Sequence, residues 1–175
     1  MIVISTTPGR ESWLRDCLES IKRPVIVISN FNYELGKIKF IYENTNLSFF
    51  LLLQDSVIVK NDKFFDLMFE AAGMGSAAVT NDPHIFGMYM GVYTRQTLAK
   101  TGIPNCNSKK EAIEYEISWH ERYVNFEPTL PVVFPELNDS RAAKKELRHG
   151  RLNLVLENDY LIKYKGNWGQ KPALD

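Results

Sequence analysis

The sequence predicts an α/β fold in one domain, a mostly parallel sheet flanked by helices with a C-terminal arm. Three observations lead there. Short apolar runs alternate with helix-period patterns through the first hundred residues, as βαβ chains do. Two of those runs, Val25 to Ser29 and Phe49 to Leu53, are apolar without alternation, the pattern of strands covered on both faces. The 175 residues are 45% hydrophobic and 24% charged, which excludes a disordered or fibrous chain. A domain of this length buries about 70% of its unfolded surface, enough for a core without a disulfide or a structural metal.

The elements follow in order. Ile2 to Ser5 is a first strand. Thr7 is placed to cap a helix with Pro8 at its first position, and Leu14, Cys17, Leu18 and Ile21 recur at helical spacing until Pro24. Val25 to Ser29 is the second strand, followed by the loop Asn30-Phe31-Asn32 and a helix from Tyr33 to Glu43 with Leu35, Ile38, Ile41 and Tyr42 on one face. Phe49 to Leu53 is the third strand, and the polar triplet Gln54-Asp55-Ser56 separates it from Val57-Ile58-Val59. Asn61 or Asp62 caps a helix to Ala72, with Phe65, Met68, Phe69 and Ala72 inward. Ala77 to Thr80 and Phe86 to Thr94 read as strands.

Ser108 and Glu111 form a capping box for a helix to Val124, whose apolar stripe is Ala112, Ile113, Ile117, Tyr123 and Val124, with Glu116 and His120 on it. Thr129 to Phe134, hemmed by prolines, reads as an edge strand. The charged stretch from Asn138 to Arg151 reads as an exposed helix or loop, and its part near Asp139 to Gly150 as the single linker candidate. Leu152 to Trp168 reads as a strand pair or extended arm.

Lys+Arg and Asp+Glu both number 21, so the chain lacks the general positive field of a protein that coats nucleic acid. Cys17 and Cys106 have no CxxC or zinc-ligand spacing and read as thiols of a reducing compartment. The start Met1-Ile2-Val3-Ile4-Ser5 lacks the basic flank of a signal peptide, and the run from Leu47 to Leu53 falls far short of the roughly 20 residues that span a bilayer. The expectation is a cytoplasmic protein with no membrane partner.

Ligands of open α/β sheets bind beyond the carboxyl ends of the strands, which directs attention to Thr6 to Arg10, Ser29 to Asn32, Gln54 to Ser56 and Asn81 to His84. Asp55, wedged between apolar runs, needs either a cation, such as a divalent metal bridging phosphates, or the backbone N–H groups of a tight turn. Thr6-Thr7-Pro8-Gly9-Arg10 offers hydroxyls, a glycine and a cation to an anion, or is simply a helix start. Glu116 and His120, four apart on an apolar stripe, are either a general base and its neighbour or a mutually satisfied buried pair. Asp82 before Pro83-His84 reads first as a turn former. Lys163 and Lys165 alternate on a strand ahead of Trp168, either to close over a pyrophosphate or to form a solvated edge. Tyr89 and Tyr93 are candidates for stacking on a base or sugar, or for the core.

Ser5-Thr6-Thr7-Pro8-Gly9-Arg10 ahead of a helix ending Cys17-Leu18-Glu19-Ser20-Ile21, then Leu51-Leu52-Leu53-Gln54-Asp55-Ser56, resembles the N-terminal half of a GT-A fold, Rossmann-like glycosyltransferase of the family 2 kind. The likeness covers about residues 1–125. It implies a nucleotide-sugar-binding core over 1–125, and acceptor-side strands, charged loop and tail over 126–175, in a single domain 1–175. It places Thr6, Thr7, Pro8, Gly9, Arg10, Asn30, Glu34, Gly36 and Lys37 around the nucleotide, with Gln54 beside the diphosphate. Where the family has Asp-x-Asp, this chain has only the middle carboxylate. Either Asp55 with waters holds a divalent metal (Mn or Mg), or Arg10, Lys163 and Lys165 neutralise the diphosphate. Glu116 is the implied catalytic base, with Glu114 as the alternative.

The expected activity is therefore sugar transfer from a nucleotide-diphosphate donor to an acceptor hydroxyl, with inversion. The alternative is a catalytically degenerate module that binds a nucleotide sugar or a protein. Nucleotidyl transfer, a competing class, wants a more glycine-rich loop than Thr6 to Arg10. The chain's compactness is similar to that of bacteriophage glycosyltransferase-like proteins, which implies modified nucleic acid or a virion protein as acceptor. The Pro-flanked strand and aromatic tail would suit a homodimer contact.

Overall fold

The computed structural model describes residues 1–30, 33–80, 89–127, 129–137 and 144–166. Its elements are β1 (Ile2–Thr6), α1 (Glu11–Ser20), β2 (Val25–Ser29), α2 (Tyr33–Asn44), β3 (Phe49–Gln54), β4 (Val57–Val59), α3 (Lys63–Ala72), β5 (Ala77–Thr80), β6 (Gly91–Thr94), α4 (Arg95–Thr101), α5 (Lys109–Asn125), β7 (Val132–Phe134), β8 (Lys144–Arg148), β9 (Arg151–Glu157) and β10 (Leu161–Gly166).

The fold is α/β, but the sheet is mixed rather than mostly parallel. Six strands run in the order β2-β1-β3-β6-β5-β7, and β4-β10-β9-β8 form a second sheet. β1 pairs in parallel with β2 and β3, and β5 with β7, while β6 lies antiparallel between β3 and β5. The second sheet is antiparallel throughout. Local apolar runs report burial but not strand direction, so the sequence did not distinguish β6 from its neighbours.

The six-stranded sheet is covered on both faces. Ile2, Ile4, Leu51 and Leu53 turn to one side, where they pack with Cys17 of α1 and with Phe64, Phe65 and Met68 of α3. Val3, Phe50 and Leu52 turn to the other, against Ile38 and Ile41 of α2 and Trp119 and Tyr123 of α5. Burial on both sides explains the unbroken apolar run of β3, whereas β2 lies at the edge of the sheet and is only partly covered, with Val27 exposed, so the sequence expectation of a buried strand there is not met. The second sheet packs beside α1, where Trp13 meets Val155 and Tyr164.

Several expectations change. The first helix begins at Glu11 rather than at Pro8, with no side-chain cap; Thr7 to Arg10 form a loop instead, and Glu11 Oε1 accepts from the Gly9 N–H at 3.0 Å. Gly9 adopts a φ of +87°, which suits its lack of a Cβ. The seven-residue α4 was not foreseen; Thr94 caps it by accepting from the Thr97 N–H. The strand expected from Phe86 is described only from Gly91, residues 86–88 lying outside the described residues. On α5 the inward residues are Trp119, His120 and Tyr123, whereas Ile113 and Ile117 are exposed. The charged stretch is neither helix nor linker where it is described. Lys144–Arg148 is the edge strand β8, joined to β9 by the turn at His149-Gly150.

The edge strand expected near Thr129 to Phe134 is present over Val132–Phe134 at one end of the larger sheet. The strand pair expected in the tail is present as β9 and β10. Among the described residues, no helix is long and apolar enough to cross a membrane.

Candidate functional site

β1, β2 and β3 run in one direction, so the residues after them, Thr7 to Arg10, Asn30, and Gln54 to Ser56, leave the sheet at one edge. β5 shares that direction through its antiparallel link to β6. The expected fourth loop, with Asp82 and His84, lies outside the described residues, as does Trp168.

Asp55 is the centre of this edge. It is 3% exposed, and its backbone N–H donates to the Ser5 carbonyl at 3.0 Å, stitching the β3–β4 turn to the end of β1. Arg10 Nε donates to Oδ2 at 2.7 Å and Nη2 to Oδ1 at 2.6 Å, while the Thr6 hydroxyl donates to Oδ2 at 2.7 Å. A bidentate guanidinium is among the stronger partners a carboxylate can have. Arg10 in turn lies over the Trp13 ring, 5.4 Å from its centroid.

Two lysines are buried around this pair. Lys163, 2% exposed, donates to Ser56 Oγ at 2.5 Å and to Gln54 Oε1, the residues on either side of Asp55. Burial pushes its ammonium down to about 7, assisted by the charges of Lys165 and Arg10 and opposed by Asp55 and Glu34. β10 is paired on both sides, by β4 and β9, so the reading of this strand as a solvated edge does not hold. Lys37 on α2, also 2% exposed, donates to Thr7 Oγ1 at 3.3 Å, and burial lowers its pKa as well. Lys165 lies 5.1 Å from the centroid of the Tyr89 ring.

Gln54 connects this cationic cluster to a groove. Its Nε2 donates to Glu34 Oε1 at 2.9 Å. Glu34 also lines an open cleft with Tyr33, Tyr89, Tyr115, Glu116 and His120 among its walls. Tyr33 has a φ of +52°, an uncommon conformation for a bulky residue and a form of strain that clusters at functional sites.

Glu116 and His120 are not the mutually satisfied side-chain pair that was one of the two sequence readings. His120 Nδ1 donates to the backbone carbonyl of Glu116 at 2.6 Å, not to its carboxylate, and Nε2 accepts from the Tyr93 hydroxyl at 3.1 Å. Burial lowers the His120 pKa and keeps the ring neutral. Tyr93 belongs to the core, stacked on Phe50. The Glu116 side chain lines the cleft, whereas Glu114 sits on the exposed face of α5.

The structure thus gathers Thr6, Thr7, Arg10, Glu34, Lys37, Gln54, Asp55 and Lys163 at one edge. Pro8 and Gly9 form the exposed tip of the first loop, Gly36 lies in α2 beside Lys37, and Asn30 follows β2. Sequence reasoning placed Ser56, which receives Lys163, in a candidate loop without a role of its own, and it missed two contributors: Trp13, which supports Arg10, and Ser5. Ser5 Oγ is the one buried side-chain polar atom among the described residues with no hydrogen-bond partner.

The donor set does not fit a divalent metal as it stands. Arg10 and Thr6 occupy the Asp55 oxygens, and the described residues contain no group of three or more His, Cys, Asp or Glu side chains able to hold a metal ion. No protein-family model and no curated protein matches this chain.

Proposed function

We propose that the chain is a nucleotide-sugar-dependent glycosyltransferase that moves a sugar to an acceptor hydroxyl with inversion. One observation carries the reading. A buried carboxylate in the grip of an arginine, with two buried lysines around it, sits at the carboxyl ends of parallel strands and is linked by Gln54 and Glu34 to an aromatic groove. Such strand ends are where α/β sheets bind nucleotides.

In this reading the donor diphosphate lies along Thr6 to Arg10 and Gln54 to Ser56, and its charge is met by Arg10, Lys37, Lys163 and Lys165. The groove takes the acceptor. Glu116 accepts the proton of the attacking hydroxyl, which displaces the nucleoside diphosphate from the opposite face of the anomeric carbon. The described groove walls include Glu34 and Glu116 and neither lysine nor arginine, which favours an uncharged hydroxyl compound over a phosphate backbone.

A second reading is a binding module that keeps the donor site without catalysis. The engagement of Asp55 by Arg10 and Thr6 favours it, because that carboxylate is spent on positioning the loop. Uridine, guanosine and cytidine diphosphates, with and without manganese, separate the possibilities in two stages. At least one should raise the melting temperature, and no shift across the panel would remove the donor site. Release of nucleoside diphosphate from the corresponding sugar donor then distinguishes enzyme from module.

A further inference from the structure

We propose that this site binds its diphosphate without a divalent metal, and that Lys163 supplies counter-charge by taking a proton from solvent as the anion enters. The inference rests on the donor-site reading above for the identity of the anion, and on the buried lysines for everything else.

Buried charges in proteins are normally paired. Lys163 and Lys37 are each 2% exposed, yet their hydrogen bonds run to neutral oxygens of Gln54, Ser56 and Thr7. Among the described residues neither forms an ion pair, since Arg10 has taken Asp55 and Gln54 engages Glu34. The unpartnered hydroxyl of Ser5 lies at the same strand end. Two buried lysines whose hydrogen bonds go to neutral oxygens, an arginine and an unpartnered hydroxyl are the complement of a multiply charged oxyanion. A further cation would add to the positive charge already there.

The groups that face Lys163 set its proton affinity. Desolvation lowers it to about 7, Lys165 of its own strand and Arg10 of the first loop act in the same direction, and Asp55 of the β3–β4 turn and Glu34 of α2 oppose them. Cys17 of α1 also faces it and stays a neutral thiol, its pKa pushed up to about 12 by burial. An incoming anion favours the ammonium form. Above pH 7, binding therefore carries one proton from water to Nζ, and affinity falls by up to about tenfold per pH unit.

Calorimetric titration of inorganic pyrophosphate and of uridine diphosphate in EDTA tests this, at pH 6.5 and 8.5, on wild type, Lys163→Met and Lys163→Arg, with circular dichroism confirming each fold. The probes titrate too, so the comparison among proteins carries the result. Wild type should bind in EDTA and weaken on going to pH 8.5 by about tenfold more than Lys163→Arg, whose charge is permanent. Lys163→Met should bind weakly at both values; if it does not fold, Lys163→Arg alone decides. Binding that requires manganese or magnesium, no binding of either probe, or an equal pH step in wild type and Lys163→Arg would overturn the proposal. Metal-free pyrophosphate binding with no turnover of any sugar donor would leave it standing while removing the glycosyltransferase reading. A metal requirement with turnover would do the reverse.

Discussion

Arg10 and Asp55, 45 residues apart in sequence, meet through two parallel hydrogen bonds of 2.6 and 2.7 Å that lock the loop after β1 onto the turn after β3. The arrangement is asymmetric in burial, with the arginine side chain 27% exposed and the aspartate 4%. Removing the arginine would leave a buried carboxylate, and removing the carboxylate charge would leave a guanidinium that can turn toward water.

Asp55→Asn should therefore be the milder change, costing about 2 kcal/mol, and Arg10→Met the harsher at about 3 kcal/mol or more. Urea denaturation at pH 7 measures both. Equal midpoints for the two variants and wild type would show that the pair does not hold the loop.

Lys163 makes stability depend on pH in a defined sense. Its folded-state pKa, about 7, lies below the usual 10.5, so between those values the unfolded chain binds the proton that the folded chain has released. Stability from this group rises with pH across that window, and the burial penalty is fully present below it. The stability of Lys163→Met relative to wild type should be greatest near pH 6 and fall toward pH 9, as read from urea midpoints. A difference independent of pH would contradict the assignment.

His120 acts at lower pH. Burial lowers its folded-state pKa below 6.5, so acidification through 6.5 protonates the unfolded chain first and costs stability. His120→Gln should lose less stability than wild type between pH 7 and 5. Thermal melts at the two values provide the comparison.

Tyr123 ties α5 to β6 and to the segment before β5 through one hydroxyl, which is 2.7 Å from Ser76 Oγ and accepts from the Thr94 N–H at 3.1 Å. Ser76 keeps Glu127 as a partner in Tyr123→Phe, but the Thr94 amide loses its acceptor. The expected loss is about 1–2 kcal/mol by urea denaturation. No loss would mean that water enters to replace the hydroxyl.

Glu116→Gln tests the base. His120 bonds the backbone carbonyl of Glu116, so the substitution leaves that contact in place. Turnover of the sugar donor should fall about 100-fold or more while diphosphate affinity is unchanged. Full activity would move the base elsewhere.

Asp55 was legible because a polar triplet interrupts an apolar run, and the convergence of three loops followed from reading β1, β2 and β3 as parallel. The burial of Lys163 was not. A lysine on an alternating strand looks the same whether the strand is at an edge or between β4 and β9, and that pairing spans about a hundred residues. Ile113 and Ile117, four apart, imitate a core face, yet α5 turns Trp119 and Tyr123 inward, about a third of a turn away. β8 was obscured by its charges, which are what an edge strand carries to avoid pairing with other chains. Trp13, four residues before Cys17 on α1, was overlooked because its partners Val155 and Tyr164 lie in the second sheet, far along the chain.

The span from Ser56 to Lys163, 107 residues, also has a meaning in time. A ribosome adding 5–20 residues per second needs about 5–20 s to make that stretch. During that interval β1 to β3 can form, with Arg10 already on Asp55, but Gln54 and Ser56 await their ammonium donor. A nascent chain thus carries half of the polar cluster, and the hydrogen bonds to Gln54 and Ser56 close only when β10 pairs with β4.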